Sequence, residues 1–357
     1  MIEWEPPTSS AFIAAGHILQ QTASSFSGGL SGSYAFEQSG QDHAGRIGIV
    51  GVMPASGGSL TNGEADQNEA GTPSTITGIA GTYGSADSNG RFTVAMTAPS
   101  QVAGSTSVGY IVSSSHSLLM NTSTGSPFVG EMQQQSVPAG GFSNSSLNGN
   151  SVFYNTGMQG GSGGRAGMGL FSTNGSGSIG VTDYEDEAGT WSTPNPDTFT
   201  CTYSVASNGR ITISGTNCTN GPVFYLTAAN TAFMLTVNSS VEIGQVEPQT
   251  GGPFSAASFS GTYYMGTLEV TNQAVNGGVG VLTLNSSGGY SITTDYTATG
   301  VQQADQTETG TIGTVNSNGT FSTKSGGAVD SIMISGTKFV TFDNENSTYP
   351  IIEVGKQ

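Results

Sequence analysis

Positively charged side chains are the scarcest feature of this 357-residue sequence. Lys and Arg together number 7 against 24 acidic residues, which gives a formal net charge of −17. Nucleic-acid binding depends on Lys and Arg that neutralise phosphates, and anionic membrane surfaces repel a chain of this sign. The composition therefore predicts no nucleic-acid partner, and it indicates an acidic surface that favours solubility.

Long apolar runs and helical periodicity are also absent. No stretch of 18 apolar residues occurs, so the sequence predicts no transmembrane helix and no membrane insertion. No basic segment followed by an apolar one opens the chain, so no signal peptide is recognisable in it. No window places apolar residues at a spacing of 3.6 over the length of a helix, which argues against helical architectures.

Charged residues of either sign make up 9% of the chain, against about 25% in an average soluble domain. Their place is taken by 55 glycines and by Ser, Thr, Asn and Gln. Uncharged, β-prone polar residues with abundant Gly suit short strands and tight turns. Because 34% of the residues are hydrophobic, the composition differs from that of disordered chains, and we expect a folded all-β protein.

Cysteine is limited to Cys201 and Cys218. If a two-residue Asn208-Gly209 turn joins two strands, residue 201 pairs with residue 216, so a bridge needs a bend at Thr216-Asn217 to bring the Cα atoms within about 7 Å. A disulfide and two buried thiols remain equally compatible with the sequence. Two isolated cysteines do not make a metal site.

What the chain does contain is a motif that recurs three times. Phe26-Ser-Gly-Gly-Leu30-Ser-Gly32-Ser-Tyr34 returns in altered form from Phe142 and again from Phe254, at spacings of 116 and 112 residues. A period this long is that of a domain rather than of a solenoid repeat. We therefore expect three β repeats of about 110 residues each.

The predicted boundaries follow from the recurring landmarks. Each copy contains a Ser-Asn-Gly triplet and closes with an apolar–polar alternation that ends in Gln, and residues 12–21 fit the same ending. This pattern predicts repeats over residues 25–137, 138–250 and 251–357. Residues 1–24 are expected to form the tail strands of a preceding, incomplete repeat.

Within the first copy, apolar residues alternate in about eight short segments with turn signals every 8–12 residues, as in sandwiches and barrels. The Asn-Gly pairs at Gly90, Gly209 and Gly319 predict type I′ hairpins. Because successive strands are joined by short turns, we expect antiparallel neighbours that close into a small meander barrel. A two-layer sandwich is the alternative.

Carboxylates are the candidate site residues. Asp66, Asp183 and Asp295 recur in the three copies, either at a barrel mouth with calcium or as turn-capping residues and partners of Arg46 and Arg165. The second copy adds three more acids beside Asp183. The weak metal candidates are therefore Asp183, Glu185, Asp186 and Glu187. Their spacing matches no known calcium loop, so a solvated acidic loop is the favoured interpretation and no metal is predicted.

No catalytic group can be assigned. His17, His43 and His116 lie in unlike places and recur in no other copy, so they form no triad or metal pair. No Gly-x-Ser-x-Gly elbow enters a helix. We therefore predict no catalytic residue, no cofactor and no enzymatic activity.

The copies resemble a tandem β-repeat of secreted or surface proteins of soil bacteria, of the acidobacterial type. The matching residues run from Leu30-Ser-Gly-Ser-Tyr34-Ala-Phe36 through Gly63-Glu-Ala-Asp66-Gln-Asn68 and Asn89-Gly90-Arg91 to Gly130-Glu-Met-Gln-Gln134. The third copy departs most, since it lacks the Arg after Asn318-Gly319. The resemblance implies export and an all-β repeat, and it assigns no activity.

These observations predict a non-enzymatic secreted or cell-surface protein that acts as a structural spacer or adhesive module, in which repetition supplies avidity. Its partner would be a surface polymer, another protein, or a second copy bound through residues 1–24. Small-ligand binding by calycin- or avidin-like barrels is the alternative, and it predicts an apolar cavity of roughly 300 Å³ or more in each copy. A fragment of an extracellular hydrolase is a weaker alternative.

Overall fold

The computed structural model describes residues 18–122, 128–159, 163–193, 195–268, 277–298, 301–343 and 350–357. Within these ranges the chain consists of antiparallel strands and three short 3₁₀ helices, Ala23–Gly28, Asn144–Ser146 and Ala256–Phe259. The predicted all-β class is confirmed. No helix in the described ranges has the length and apolar character needed to cross a bilayer.

The first eight strands form a closed barrel, as predicted. They are β1 (Gly32–Gln41), β2 (Arg46–Ser56), β3 (Ser59–Glu69), β4 (Thr72–Tyr83), β5 (Arg91–Ala98), β6 (Thr106–Ser113), β7 (His116–Asn121) and β8 (Phe128–Gln134). Each strand pairs with the next, and β8 returns to β1 with Tyr34 opposite Gln134. We call this unit the first barrel.

A second closed barrel follows with one additional short strand. Its strands are β9 (Asn148–Gln159), β10 (Gly163–Asn174), β11 (Ser178–Glu187), β12 (Thr190–Trp191), β13 (Asp197–Val205), β14 (Arg210–Ser214), β15 (Val223–Ala228), β16 (Thr231–Leu235) and β17 (Ser240–Pro248). Pairing of β17 with β9 closes the ring, while β12 pairs with β11 at the margin.

The third unit is a half-closed version of the same meander. Its strands are β18 (Gly261–Thr267), β19 (Gly277–Leu284), β20 (Gly289–Ala298), β21 (Val301–Thr311), β22 (Thr320–Phe321), β23 (Ser331–Ser335), β24 (Lys338–Asp343) and β25 (Ile351–Lys356). The sheet is open between β21 and β22. Near this opening Gly313 N donates to Ser322 O at 2.8 Å and Ser325 N to Thr311 O at 3.1 Å. We call this unit the third barrel.

Strand alternation fills one end of each barrel with apolar side chains. Separate clusters of buried residues form around Tyr34 and Phe92, around Phe153 and Phe224, and around Phe259 and Phe339. Because side chains alternate between the two faces of a strand, the residues between these inward positions face outward and are free to join neighbouring barrels.

The recurring Phe that marked the repeats packs against the recurring Asn-Gly turn. A Cβ at Gly209 would lie 3.0 Å from the ring of Phe142, and one at Gly319 would lie equally close to the ring of Phe254. Gly209 also has a positive φ of 90°. Glycine is therefore required there both for backbone conformation and for contact with the ring.

These hairpins are correctly placed, but the predicted type I′ geometry is wrong. Gly90, Gly209 and Gly319 have positive φ, whereas the preceding Asn residues do not. In the second copy Gly209 N donates to Ala206 O at 2.9 Å and Ala206 N to Arg210 O at 2.8 Å. This is the pattern of a three-residue loop with a glycine bulge, which shifts the strand register by one residue.

Cys201 and Cys218 form a disulfide with a Cα–Cα distance of 6.2 Å. The observed register places Thr202 opposite Ser214, so residue 201 comes opposite Gly215 rather than residue 216. Beyond Gly215 the chain makes a turn, in which Cys218 N donates to Gly215 O at 3.0 Å. This turn brings Cys218 back beside Cys201. The bend predicted at Thr216-Asn217 is present.

The predicted tail strands are not found in the part of residues 1–24 that is described. Residues 18–22 are irregular, and the 3₁₀ helix Ala23–Gly28 follows them. Thr22 N donates to Val112 O at 2.7 Å, so this segment lies along β6 of the first barrel. Residues 1–17 lie outside the described ranges.

Candidate functional site

Consecutive barrels are joined face to face. We call the outer surface of a barrel's first three strands its forward face, and the outer surface of its last four strands its rear face. On the forward face of the first barrel, Ala35, Val50 and Val52 are buried against the rear face of the second barrel. The residues they contact there are Val223, Tyr225, Phe233, Leu235 and Ile243.

A partly buried ion pair crosses this first junction. Arg210 of the second barrel donates two hydrogen bonds to Asp66 of the first, at 2.6 and 2.8 Å. Tyr225 Oη donates to the same carboxylate at 2.8 Å and Thr75 Oγ1 at 2.6 Å. The hydrogen bond from Arg210 to Asp66 raises the pKa of Arg210, and burial together with Asp66 raises that of Tyr225. Both side chains therefore stay protonated donors.

Backbone contacts fix the same junction further along β3. The Asn68 Nδ2 group lies within hydrogen-bonding distance of three carbonyl oxygens of the second barrel, those of Thr236, Asn238 and Ser240, at 2.9, 3.0 and 2.8 Å. Asn208 Nδ2 donates to Glu64 at 2.7 Å. The contacts of Asn68 are with backbone carbonyls, so they depend directly on how the two barrels are oriented.

A glutamine that follows the last strand of the first and second barrels clamps the turn of the next barrel. Gln135 Nε2 donates to Asn208 O at 3.0 Å and to Leu226 O at 2.6 Å. Gln249 Nε2 repeats this contact at the second junction, with Asn318 O at 2.7 Å and Met333 O at 2.8 Å. The sequence pattern showed that each copy ends in Gln, but it gave no indication of what the side chain binds.

Gln21 makes the same clamp on the first barrel. Its Nε2 lies 3.2 Å from Asn89 O and 2.7 Å from Ile111 O. The resemblance of residues 12–21 to the ends of the other copies is therefore matched by an equivalent contact at Gln21.

The second junction uses the same register with different side chains. Val152, Tyr154 and Met168 of the second barrel pack against Val340 and Phe342 of the third. Tyr184 stands where Asp66 stands in the first junction, because it lies opposite Met168 as Asp66 lies opposite Val50. Thr320 follows the Asn-Gly turn in place of Arg210. Tyr184 and Thr320 are close enough to interact, so two neutral side chains stand in place of the ion pair.

Three further side-chain contacts belong to this second junction. The ring of Trp191, from the marginal strand β12, meets that of Phe342 edge-on with centroids 4.9 Å apart. Lys338 contacts Glu247 and lies over the ring of Tyr154, 5.8 Å from its centroid. Burial lowers the pKa of Lys338, and the neighbouring Glu247 opposes that shift.

The predicted equivalence of Asp66, Asp183 and Asp295 is wrong by one residue. Asp66 lies opposite Val50 and Asp295 opposite Val279, whereas Asp183 lies opposite Gly169. Because strand side chains alternate, this offset of one residue turns Asp183 into the barrel while the other two face outward. Asp66 is paired with Arg210, not with Arg46, and Asp295 is exposed and accepts a hydrogen bond from Asp305 N at 2.7 Å.

The acidic run of the second copy is a strand and not a solvated loop. Asp183, Glu185 and Glu187 lie on β11 and face the interior of the second barrel, as their register with Gly169, Gly167 and Arg165 requires. Asp186 faces the outside, where it is buried and accepts a hydrogen bond from Gly189 N at 2.7 Å. The four metal candidates are therefore divided between the two faces of one strand.

The inward acids surround a single arginine. Arg165 contacts Glu185, and its Nε lies 3.3 Å from Glu242 Oε1. Asn155 donates to the other oxygen of Glu242. Burial raises the pKa of Glu242 to about 7 and that of Asp183 to about 8, and neighbouring carboxylates contribute to both shifts. Among the described residues, Asp183 accepts no hydrogen bond. We call this group the polar lumen of the second barrel.

No equivalent cluster exists at the matching positions of the first barrel. Register places Gln38, Ile47 and Ala65 there, in place of Asn155, Arg165 and Asp183. Across the described ranges, no three His, Cys, Asp or Glu side chains are arranged to hold a metal ion. His116 Nε2 lies 2.6 Å from Glu131 Oε2, His43 is exposed, and His17 lies outside the described residues.

Two open clefts flank the second junction. One of about 410 Å³ lies between the outer surface of β10, β11 and β13 and the Gln249–Asn318 contact. The other, of about 320 Å³, is lined by Glu247, Lys338 and Lys356. Both lie outside the barrel interiors, so neither is the central apolar cavity that a calycin-like binder is predicted to have in each copy.

No family model and no curated protein matches the chain. Solved structures resemble it only distantly. A DUF3598-family protein of unknown function from Nostoc punctiforme is 6% identical, covering 93% of this chain and 97% of its own, with a TM-score of 0.19. Kievitone hydratase from Nectria haematococca is 7% identical, covering 63% and 91%, with a TM-score of 0.24. Transferrin binding protein B from Haemophilus parasuis is 8% identical, covering 92% and 76%, with a TM-score of 0.19. Such low scores support no argument about function.

Proposed function

We propose that this chain is a non-enzymatic, extracellular spacer whose barrels stack into a rigid rod. The observation that carries the proposal is that both junctions repeat one docking register, with apolar faces, a glutamine clamp and matched polar positions. Interfaces between domains of one chain are usually more polar and allow relative motion. Here the contacting side chains are buried, so the barrels are held in one orientation.

The energetics favour a fixed junction. Five buried apolar side chains of the second barrel meet three of the first, and fully burying one large aliphatic or aromatic side chain contributes about 1.5–3 kcal/mol. Three hydrogen bonds reach the Asp66 carboxylate from the second barrel, two from Arg210 and one from Tyr225, and separating the barrels would break all three. A short linker could not supply this orientation by itself.

Export is part of the proposal. A disulfide persists in oxidising compartments, and the chain carries one. The resemblance to secreted bacterial repeats points the same way. A rod of this kind would hold an adhesive or catalytic partner away from a cell surface, and repeated copies would add avidity toward a surface polymer or protein.

Small-angle X-ray scattering of the dilute chain tests rigidity. We expect the wild-type curve to fit one arrangement of the three barrels. Val52→Asp places a charge in the first junction, where Val52 is 2% exposed, and should increase the radius of gyration. Val281→Asp is the matched control, because Val281 occupies the same register position on the exposed forward face of the third barrel. A wild-type curve that needs many barrel orientations would overturn the proposal.

A second candidate function is small-cation binding in the polar lumen. It is favoured by Asp183, an inward carboxyl that accepts no hydrogen bond within the described part of the chain. Its pKa of about 8 keeps it protonated at neutral pH, so a bound cation would have to displace that proton. Binding should therefore strengthen as pH rises through 8.

Calorimetric titration with methylammonium and, separately, with Ca²⁺ at pH 6 and pH 9 tests this second function. We expect heat at pH 9 that is lost in Asp183→Asn and kept in Asp295→Asn. No saturable heat with either probe, or binding that Asp183→Asn leaves unchanged, would remove the idea.

A further inference from the structure

The rear face of the first barrel repeats the side-chain pattern that binds a preceding barrel elsewhere. Arg91 lies opposite Tyr110 on β5 and β6, as Arg210 lies opposite Tyr225 on β14 and β15. At the first junction the Arg210–Tyr225 pair binds Asp66. Arg91 and Tyr110 are exposed, and Tyr110 retains 43% of its accessible surface.

The apolar part of this rear face is exposed as well. Met120 and Val129 occupy the register positions of Leu235 and Ile243. Leu235 and Ile243 are buried in the first junction, whereas Met120 is 49% and Val129 52% exposed. Gln21 is already clamped on the adjacent turn, as Gln135 is at the occupied junction.

The forward face of the third barrel carries the complementary pattern. Tyr264 and Val281 occupy the positions of Ala35 and Val52, and Asp295 occupies that of Asp66. Tyr264 is 68% and Val281 41% exposed. Of the eight large apolar side chains exposed in the described residues, five lie on these two end faces: Tyr110, Met120, Val129, Tyr264 and Val281.

We propose that the two end faces bind each other between copies of this chain, so that Asp295 of one copy accepts hydrogen bonds from Arg91 and Tyr110 of the next. The inference rests on the proposed stacking function, because it extends the same docking register across two molecules. The two faces are different surfaces, so the contact is head-to-tail and does not close on itself. Such contacts generate chains that lengthen with concentration.

Charge complementarity favours a second copy of this chain as the partner of each end face. The rear face of the first barrel offers an arginine on a chain that carries only 7 basic residues, and the forward face of the third barrel offers an exposed carboxylate at the matching register position. Exposed apolar side chains lie on the same two faces as these charged groups. A partner of different architecture would have no reason to match the spacing of Arg91, Tyr110 and the clamp at Gln21.

Sedimentation velocity of the full chain over a hundredfold range of concentration tests the proposal. We expect the weight-average sedimentation coefficient to rise with concentration. Arg91→Asp and Asp295→Arg should each abolish the rise. The double variant Arg91→Asp/Asp295→Arg restores an opposite pair at each contact and should regain it. Lys324→Asp makes a comparable charge change at an exposed site off both faces and should behave as wild type.

Circular dichroism melting of each variant checks that loss of association is not loss of folding. A wild type that stays monomeric throughout would overturn the inference, as would association that both single variants retain. A variant lacking residues 1–17 separates this model from association through the amino-terminal segment. It should still associate, and loss of association in that variant alone would contradict the face-to-face contact. The scattering test of rigidity uses the dilute monomer, so the proposed function stands or falls separately.

Discussion

The two junctions share one geometry and differ in chemistry. In the first, the Asp66 carboxylate accepts hydrogen bonds from Arg210, Tyr225 and Thr75, and the junction also contains a cluster of buried apolar side chains. In the second, Tyr184 and Thr320 occupy the corresponding positions, and aromatic contacts between Trp191 and Phe342 are added. The comparison indicates that backbone register and the glutamine clamp define the docking, while the polar centre can be charged or neutral. Substitutions at each junction and at the matching unoccupied positions test this division.

The largest effect is expected from truncating the apolar centre of the second junction. Phe342→Ala removes a side chain that is 3% exposed, and such truncations cost about 3–5 kcal/mol of unfolding free energy. Met120→Ala is the matched control, since Met120 holds the same register position on an unoccupied rear face and should change stability by less than about 0.5 kcal/mol. Urea denaturation followed by tryptophan fluorescence measures both. Equal losses would mean that burial at the junction contributes nothing.

Breaking the ion pair of the first junction should cost somewhat less. Asp66→Ala leaves Arg210 and Tyr225 without their shared acceptor, and because Arg210 is 23% exposed we expect a loss of roughly 2–3 kcal/mol. Asp295→Ala removes the equivalent but exposed carboxylate and should be nearly neutral. Chemical denaturation of the two variants side by side gives the answer, and a neutral Asp66→Ala would show that the charged centre is dispensable.

The glutamine clamps should matter equally at both junctions. Gln135→Ala and Gln249→Ala each remove two hydrogen bonds to backbone carbonyls, so we expect each to lose about 1–2 kcal/mol. The readout is the denaturation midpoint of each single variant and of the pair. If only one substitution lowered the unfolding free energy, the clamp would stabilise that junction alone and would not be part of the geometry that both junctions share.

A separate pH dependence should come from the polar lumen and not from either junction. Glu242 and Asp183 have folded-state pKa values of about 7 and 8, above those of unfolded carboxyls near 4. The folded chain therefore holds protons that the unfolded chain has released, so stability is highest below pH 4 for these groups and falls as pH rises to 8. Melting temperatures between pH 4 and 9 should show this decline in Asp66→Ala and a weaker one in Asp183→Asn. An unchanged slope in Asp183→Asn would assign the effect to other groups.

Patterns along the chain predict much of this architecture. The recurrence from Phe26 to Phe142 to Phe254 predicts three similar units, and alternation with Asn-Gly turns predicts antiparallel meanders. These are local signals, because strand periodicity and turn chemistry depend on neighbouring residues. The same order of eight short strands closes the first barrel but leaves the third open between β21 and β22, so strand order alone does not predict closure.

The functional surfaces depend on information that is not local. Asp66 and Arg210 are 144 positions apart, and nothing around either residue indicates the other. The offset of Asp183 by one position was invisible without the pairing of β10 and β11, yet it decides whether the acid faces the lumen or the neighbouring barrel. The glutamine that precedes a following barrel, at Gln21, Gln135 and Gln249, is a usable signal, since a polar residue that recurs at these connections indicates a repeated contact.

Nitrogen-15 relaxation of the backbone amides tests the central claim most directly, because it reports how each barrel tumbles in solution. Rigid stacking predicts that amides of all three barrels fit one anisotropic rotational diffusion tensor, whose long axis runs along the stack. Separate, shorter correlation times for the individual barrels would contradict the account.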